Sequence, residues 1–167
     1  MKPALLVIDM QQTFFDSIPS ARESLESALE PISAAVRLFR EKGLPVIVIE
    51  DIEEANGRLP GSPGFETTER IHLTPEDPRI HKTYSNAFNK TGLEQVLRGL
   101  EVDTLLLTGF AATRCVLSTC RGAQDLDFRP LMLRGALADR SPEKVRFVEE
   151  LEELISIGAL TAFFELL

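Results

Sequence analysis

Short apolar runs separated by longer amphipathic stretches make up most of the chain. Residues 4–8 (ALLVI) and 45–49 (PVIVI) are continuous apolar runs, the pattern of strands that are buried on both faces of a parallel sheet. Between them, apolar residues recur every three or four positions, which predicts an amphipathic helix. Pro31 interrupts this segment, so we expect a short helical turn before the proline and the main helix after it.

The second half of the chain repeats this alternation. Ser141 and Pro142 have the N-cap and first-turn chemistry of a long helix, which we expect to end at Gly158. Thr91 is a similar cap for an earlier helix, and another helix should begin at Cys115. Strands alternating with helices predict an α/β domain with a parallel sheet and helices on both faces. The strands predicted here cover residues 79–84, 103–109, 130–133 and 160–164.

The segment from residue 51 to 79 lacks any sustained period. It contains three turn-forming pairs, Asn56-Gly57, Pro60-Gly61 and Pro63-Gly64. A loop of this length in a compact domain is usually functional, and we expect it to wall a pocket. The acidic residues at its start (Glu50, Asp51, Glu53 and Glu54) read as a solvated surface, because neither His72 nor His81 lies within metal-ligand spacing of them. We therefore expect no metal site.

Composition and charge narrow the class of protein. The chain has 167 residues, of which 44% are hydrophobic and 26% charged, which fits one domain over residues 1–167. A net charge of −8 argues against a nucleic-acid or anionic-membrane partner. The apolar runs are too short to cross a bilayer, and the start of the chain shows no signal-peptide pattern. Its two cysteines form no disulfide framework, so we expect a cytoplasmic protein.

Cys115 is the first candidate for chemistry. A buried strand ends at Thr108-Gly109, a five-residue loop follows, and Cys115 then opens the predicted helix. The unpaired N–H groups and the dipole at a helix N-terminus favour an anion, which predicts a lowered thiol pKa. Taken alone, the stretch fits a small buried apolar cysteine at least as well.

Two further polar residues follow predicted strands. Asp9 comes directly after the first strand and Lys82 ends the third, so both should open on the same sheet edge as Cys115. Individually, Asp9 could be a turn aspartate and Lys82 a surface lysine. Together with Cys115 they supply the proton acceptor and the cation that a nucleophilic cysteine requires.

With these residues the sequence resembles the isochorismatase-like cysteine hydrolases. The resemblance covers nearly the whole chain, and its three blocks agree with the family in order and spacing. They are Asp9-Met10-Gln11 with Phe14, Lys82 with Ser85-Asn86-Ala87-Phe88, and Gly109 followed six residues later by Cys115-Val116.

The resemblance implies a Rossmann-like three-layer αβα sandwich with a six-stranded, mainly parallel sheet, and a catalytic triad of Asp9, Lys82 and Cys115. It also implies a cis peptide between Phe110 and Ala111 and an oxyanion hole formed by the N–H groups of Ala111 and Cys115. The expected reaction is hydrolysis of a small amide or related C–N bond through a covalent thioester. We expect no cofactor, and the family implies a small-molecule substrate and a homo-oligomer.

Three further positions bear on the substrate. By resemblance Phe14 lines the pocket, and Phe88 either lines it too or belongs to the core. Arg114, directly before the nucleophile, is either a surface residue or a binder of a substrate carboxylate. Asp51-Ile52-Glu53 lacks the histidine of the family's nicotinamidase metal motif, so a zinc nicotinamidase is not expected. Gly135-Ala136 is taken as the counterpart of the family's Asp-Ala after the fifth strand.

Other functions remain open at this point. Related enzymes cleave a vinyl ether, but the presence of Cys115 favours acyl transfer. An activated thiol could also serve redox sensing, for which Cys120, five residues along the same helix, is poorly placed as a resolving cysteine. A binding protein without activity could use the same fold.

Overall fold

The computed structural model describes residues 2–165 and contains one parallel sheet. Its six strands lie in the order β3-β2-β1-β4-β5-β6, and every neighbouring pair is parallel. The predicted α/β class with a six-stranded sheet is therefore confirmed. The strands are β1 (Pro3–Ile8), β2 (Val46–Asp51), β3 (Arg79–Lys82), β4 (Thr104–Phe110), β5 (Arg129–Ala138) and β6 (Leu154–Ile155).

Helices cover both faces of the sheet, which explains the continuous apolar strands. One core cluster joins α2 and the C-terminal α6 to one face, and a second cluster joins α3, α4 and α5 to the other. All six residues of β1 are buried because both faces of that strand are covered. The described helices are α1 (Gln12–Ser17), α2 (Arg22–Glu41), α3 (Leu93–Gly99), α4 (Leu117–Asp125), α5 (Pro142–Leu151) and α6 (Ile157–Glu165).

The winding of the sheet reverses between β1 and β4, which are neighbours as the site prediction required. Connections on either side of this switch point leave in opposite directions, and a crevice opens beyond the strand ends. Gly109 lies opposite Ile8 at this point and has a φ of 110°. A Cβ at position 109 would lie 2.0 Å from the carbonyl oxygen of Ile8, so only glycine allows the two strands to approach this closely.

The expected break at Pro31 is wrong, because α2 runs continuously through the proline. The turns before Pro31 bury Leu25 and Ala28 completely, as the turns after it bury Ile32 and Phe39. This continuous buried stripe outweighs the backbone hydrogen bond that a proline inside a helix removes.

The C-terminal prediction is also wrong. The helix that begins at Pro142 ends at Leu151, the last strand is β6, and the predicted strand over residues 160–164 is part of α6. Leu160 and Phe164 are buried, but Ala162 midway between them is exposed, which fits a helix and not the alternation of a strand. The Phe164 ring packs on Phe39 of α2 with ring centroids 5.7 Å apart.

The long segment between β2 and β3 is irregular, as predicted, with only short 3₁₀ turns at Glu54–Asn56 and Glu69–Ile71. It lies against the carboxyl ends of the strands, where Thr67 pairs with Gln11 in an isolated bridge. Among the helices of residues 2–165, none combines the length and the apolar character needed to cross a membrane.

Candidate active site

The structure brings Asp9, Lys82 and Cys115 together at the switch point. Asp9 directly follows β1, Lys82 is the last residue of β3, and Cys115 lies in a π-helical turn (Ala112–Val116) that leads into α4. Lys82 Nζ lies 2.9 Å from Asp9 Oδ2 and donates to Cys115 Sγ at 3.3 Å. The three polar side chains predicted from different strands are therefore in direct contact.

Asp9 is a buried carboxylate with one oxygen unused. Its Oδ2 contacts the Lys82 ammonium, whereas the buried Oδ1 has no hydrogen-bond partner within residues 2–165. Burial raises the pKa of Asp9 to about 6, and Asp51 adds to the rise while Lys82 opposes it. The backbone of Asp9 has a φ of 51°, in the left-handed region that residues other than glycine rarely adopt. A carboxylate with a raised pKa and a free oxygen is suited to accept a proton.

Lys82 has no exposed side-chain surface. Its ammonium group donates to Asp51 Oδ1 at 2.9 Å as well as contacting Asp9 and Cys115, which accounts for its three N–H donors. Burial alone would lower the pKa of Lys82, but the surrounding negative charges outweigh burial and raise that pKa above its usual range. Lys82 is therefore a fixed cation and not a base.

The pKa of the Cys115 thiol differs from the one expected for a cysteine at a helix N-terminus. Burial raises the pKa of Cys115 to about 12, with a further contribution from the charge of Asp9, although Lys82 acts in the opposite direction. The predicted lowering of this pKa is thus wrong for the resting enzyme. The cause is that the carboxylate and the low-polarity surroundings outweigh the single ammonium group.

The prediction of a solvated acidic surface at the start of the long loop is wrong for Glu50 and Asp51, whereas Glu53 and Glu54 are exposed as expected. Glu50 and Asp51 are the last residues of β2, where Glu50 is fully buried and Asp51 has only 17% of its side chain exposed. Glu50 accepts hydrogen bonds from Thr67 and Arg79. Asp51 contacts Lys82 and, at 2.6 Å, Arg58. The predicted strand ended at residue 49, whereas β2 continues through Glu50 and Asp51.

Gln11 explains why an Asp-x-Gln sequence follows β1. Its buried amide donates from Nε2 to the carbonyl oxygen of Asp51 at 3.1 Å and accepts from the N–H of Asp51 at 2.8 Å. This pair of bonds continues the hydrogen bonding of β1 and β2 beyond the last paired residue. Gln11 thereby fixes Asp51 beside Lys82.

The loop before Cys115 is anchored from β5. The peptide bond between Phe110 and Ala111 is cis, as expected. Asp139, which directly follows β5, accepts from the N–H of Thr113 at 2.9 Å and from its hydroxyl at 2.7 Å. Because β5 extends to Ala138, Gly135-Ala136 lies within this strand and not after it, and the carboxylate that directly follows the strand is Asp139.

The amides of this loop bear on the predicted oxyanion hole. The N–H groups of Arg114 and Val116 donate to the carbonyl oxygen of Ala111, and that of Thr113 donates to Asp139. The two amides assigned to the oxyanion hole, those of Ala111 and Cys115, are not among these three.

A cavity of about 520 Å³ opens above these residues. Phe14 lines it, as predicted, and so does Arg114, together with two residues that the sequence did not single out, Arg58 and Arg140. Phe88 is not part of its wall. The Phe88 ring stacks on Phe128 at 5.7 Å and packs against the second core cluster, so we correct its assignment from substrate contact to core residue.

Asp9, Asp51 and Cys115 could in principle coordinate a metal ion, since their ligand atoms lie within 4.8 Å of one another. The Lys82 ammonium already bonds to all three. A divalent cation would have to displace a buried positive charge from this position, so the donor set does not fit a metal ion.

The chain has clear relatives among known proteins. The isochorismatase domain model matches residues 3–154. An uncharacterised isochorismatase family protein, YrdC of Bacillus subtilis (strain 168), is 33% identical over 139 residues, which cover 82% of this chain and 74% of the relative. The ureidoacrylate amidohydrolase RutB of Cronobacter sakazakii (strain ATCC BAA-894) is 26% identical over an alignment of 178 positions, which covers 83% of this chain and 75% of the relative.

Solved structures agree with these matches. The crystal structure of N-carbamoylsarcosine amidase from Thermoplasma acidophilum superposes with a TM-score of 0.79 at 27% identity, over 93% of this chain and 95% of that one. The family model covers most of the chain, including β1, β3 and the loop before α4, from which the clustered side chains come. The chain therefore belongs to the isochorismatase family and is a hydrolase of that family.

Proposed function

We propose that the protein hydrolyses a small amide or related C–N bond through a thioester on Cys115. The observation that carries this proposal is the placement of the Lys82 ammonium between Asp9 and Cys115, with the second oxygen of Asp9 buried and free. Two of the similar proteins, an N-carbamoylsarcosine amidase and a ureidoacrylate amidohydrolase, are amidohydrolases by name, which supports the same reaction class.

The first half of the proposed reaction forms the thioester. Asp9 Oδ1 takes the proton of the Cys115 thiol as the sulfur attacks the substrate carbonyl carbon. The carbonyl π electrons move to the oxygen, and the N–H groups of Ala111 and Cys115 stabilise that oxyanion. When the tetrahedral intermediate collapses, the C–N bond breaks and the amine leaves with the proton that Asp9 holds.

The second half releases the acid. Asp9 takes a proton from a water molecule, and the resulting hydroxide attacks the thioester carbonyl carbon. The C–S bond breaks, and the sulfur recovers the proton from Asp9. Lys82 stays protonated throughout and stabilises the negative charge as it moves between Asp9 and Cys115.

The raised pKa of the thiol supports this order of events. A Cys115 thiol with a pKa of about 12 stays protonated near neutral pH, so it requires a base at the moment of attack. Asp9, with a pKa of about 6, is ionised under the same conditions and available as that base. This pairing of a thiol with a base favours acyl transfer over hydrolysis of a vinyl ether, which some related enzymes perform without the cysteine.

The proposal extends to the far end of the substrate. Arg114 and Arg140 follow neighbouring strands, line the same cavity and are largely exposed. Neither guanidinium group has an ion-pair partner within residues 2–165. We assign them to a carboxylate on the substrate, which a guanidinium group binds through two parallel hydrogen bonds. Phe14, which packs on Phe110, supplies an apolar part of the cavity wall.

The direct test is intact-protein mass spectrometry of enzyme quenched during turnover of a panel of carbamoyl and simple amides. A substrate should add its acyl mass to the wild type and leave Cys115→Ala unmodified. Turnover by Cys115→Ala at the wild-type rate would refute the mechanism.

A further inference from the structure

A row of charged side chains that alternate in sign runs from the catalytic cluster into the long loop. Asp9 contacts Lys82 at 2.9 Å, and Lys82 contacts Asp51 at 2.9 Å. Asp51 in turn contacts Arg58 at 2.6 Å, and Arg58 contacts Glu53 at 2.8 Å. The loop is thereby connected to the nucleophile through side chains whose charges depend on one another.

Arg58 is held in this row by contacts on several sides. Its Nη2 donates to both Asp51 and Glu53, and its Nε donates to the carbonyl oxygen of Asp51 at 3.3 Å. The guanidinium carbon lies 4.8 Å from the centroid of the Phe14 ring. The backbone of Arg58 also pairs with that of Glu53, and only 15% of its side chain is exposed. A cation fixed in this way is part of the cavity wall and not a mobile surface residue.

We propose that Arg58 is a positioning residue of the active site, which holds and neutralises Asp51 so that the Lys82 ammonium stays directed at Asp9 and Cys115. This inference rests on the proposed function. Its test, however, measures the reactivity of the resting Cys115 thiol, which requires no substrate.

The need for Arg58 follows from the distribution of charge. Lys82 is one cation among the carboxylates of Asp9 and Asp51, and each competes for its donors. Without Arg58, the second oxygen of Asp51 would lose its partner, and Asp51 would attract the ammonium away from Cys115. The local charge would also become more negative, which disfavours a thiolate.

Other charged groups surround the row and do not supply this compensation. Lys82, Asp51 and the Cys115 thiol face Asp9. Arg114 and Arg140 line the same cavity but form no ion pair with Asp51. Asp139 is bonded to Thr113 behind the nucleophile loop. Within residues 2–165, the ion pairs of Asp51 are those with Lys82 and Arg58.

The test measures the rate at which iodoacetamide alkylates Cys115 between pH 7 and 9, with peptide mapping to separate Cys115 from Cys120. Arg58→Gln should react roughly three- to tenfold more slowly than the wild type, because a rise of one pKa unit lowers the thiolate fraction about tenfold. Arg58→Lys, which keeps the charge, should recover most of the rate. Ser62→Ala is the matched control, since it removes hydrogen bonds to Leu59 in the same loop without changing any charge.

Glu53→Gln provides a change of opposite sign. It removes a carboxylate that neutralises Arg58, so Cys115 should be alkylated faster than in the wild type.

Unfolding of Arg58→Gln would expose the thiol and accelerate alkylation, which circular dichroism would detect. In that case the alkylation rate of Glu53→Gln decides the question. Equal rates for a folded Arg58→Gln and the wild type would overturn the proposal, as would an Arg58→Lys rate as low as that of Arg58→Gln. An unchanged or lower rate in Glu53→Gln would also overturn it. Failure of the amidase proposal would appear separately, as absence of acyl transfer with these alkylation differences intact.

Discussion

The ammonium nitrogen of Lys82 lies 3.3 Å from the sulfur of Cys115, yet the pKa of this thiol is raised to about 12. The contact therefore does not create a resting thiolate. In the proposed mechanism, it places a cation where negative charge passes once Asp9 removes the proton. In that mechanism the activation of Cys115 is coupled to the attack itself, which protects a partly exposed thiol from unproductive reactions.

The first prediction concerns the resting thiol. Ultraviolet titration of the thiolate, taken as wild type minus Cys115→Ser, should show a midpoint above the value of about 8.5 for a free cysteine. The reason is that burial and the charge of Asp9 outweigh Lys82. A midpoint below that of free cysteine would show that the nucleophile is activated before substrate arrives.

Asp9 should determine the acidic side of the pH profile. Its pKa is raised to about 6, and it must be ionised to act as a base, so kcat/KM should fall as the pH drops through that value. Asp9→Asn should lower kcat by roughly 10²- to 10⁴-fold, the range for loss of a general base. The exposed Asp125→Asn is the control and should retain the wild-type profile. A plateau extending well below the pKa of Asp9 would argue for another base.

Arg114 should act on substrate binding and not on chemistry. For a carboxylate-bearing substrate, Arg114→Ala should raise KM about tenfold with kcat nearly unchanged, because an exposed charge-assisted contact is of moderate strength. The neutral ester of the same substrate should show no such rise. The matched control is Arg134→Ala, which removes an exposed arginine of β5. An equal effect of Arg114→Ala on acid and ester would assign this residue to structure.

Gly109 should be essential for the architecture of the switch point. Gly109→Ala would place a Cβ 2.0 Å from the carbonyl oxygen of Ile8 in a backbone with a φ of 110°. We expect a loss of roughly 2–4 kcal/mol in the free energy of unfolding, from steric overlap and backbone strain together. Gly99→Ala, where a Cβ meets no atom within 4 Å, should change that free energy by less than about 1 kcal/mol. Similar urea midpoints for the two variants would contradict this account.

The parts of the molecule that were predictable are those with a local or periodic signal. Apolar runs identified the strands that form the centre of the sheet, and the position of Asp9, Lys82 and Cys115 at strand ends placed them on one edge. Residues 160–164 were predicted as a strand but form part of α6. In so short an apolar run, Leu160 and Phe164 fit either a strand or a helix, and packing on Phe39 decides between them.

The charged partners of the site had no such signal. Asp51 and Arg58 are seven residues apart in a segment without periodicity, and only the folded loop brings them together. The contact between Asp51 and Lys82 depends on the register of β2 against β3, where these two residues are opposite each other. Phe88 was ambiguous because its side chain turns toward Phe128, a residue far along the chain.

In the proposed mechanism, Cys115 carries the acyl group of an amide substrate during turnover. Rapid acid quenching of the wild type with a substrate, followed by intact mass measurement and peptide mapping, tests it most directly. An added acyl mass should be confined to the peptide that contains Cys115, appear within the first turnover and decay as the acid product forms. Turnover without any adduct on Cys115, at quench times shorter than one catalytic cycle, would contradict it.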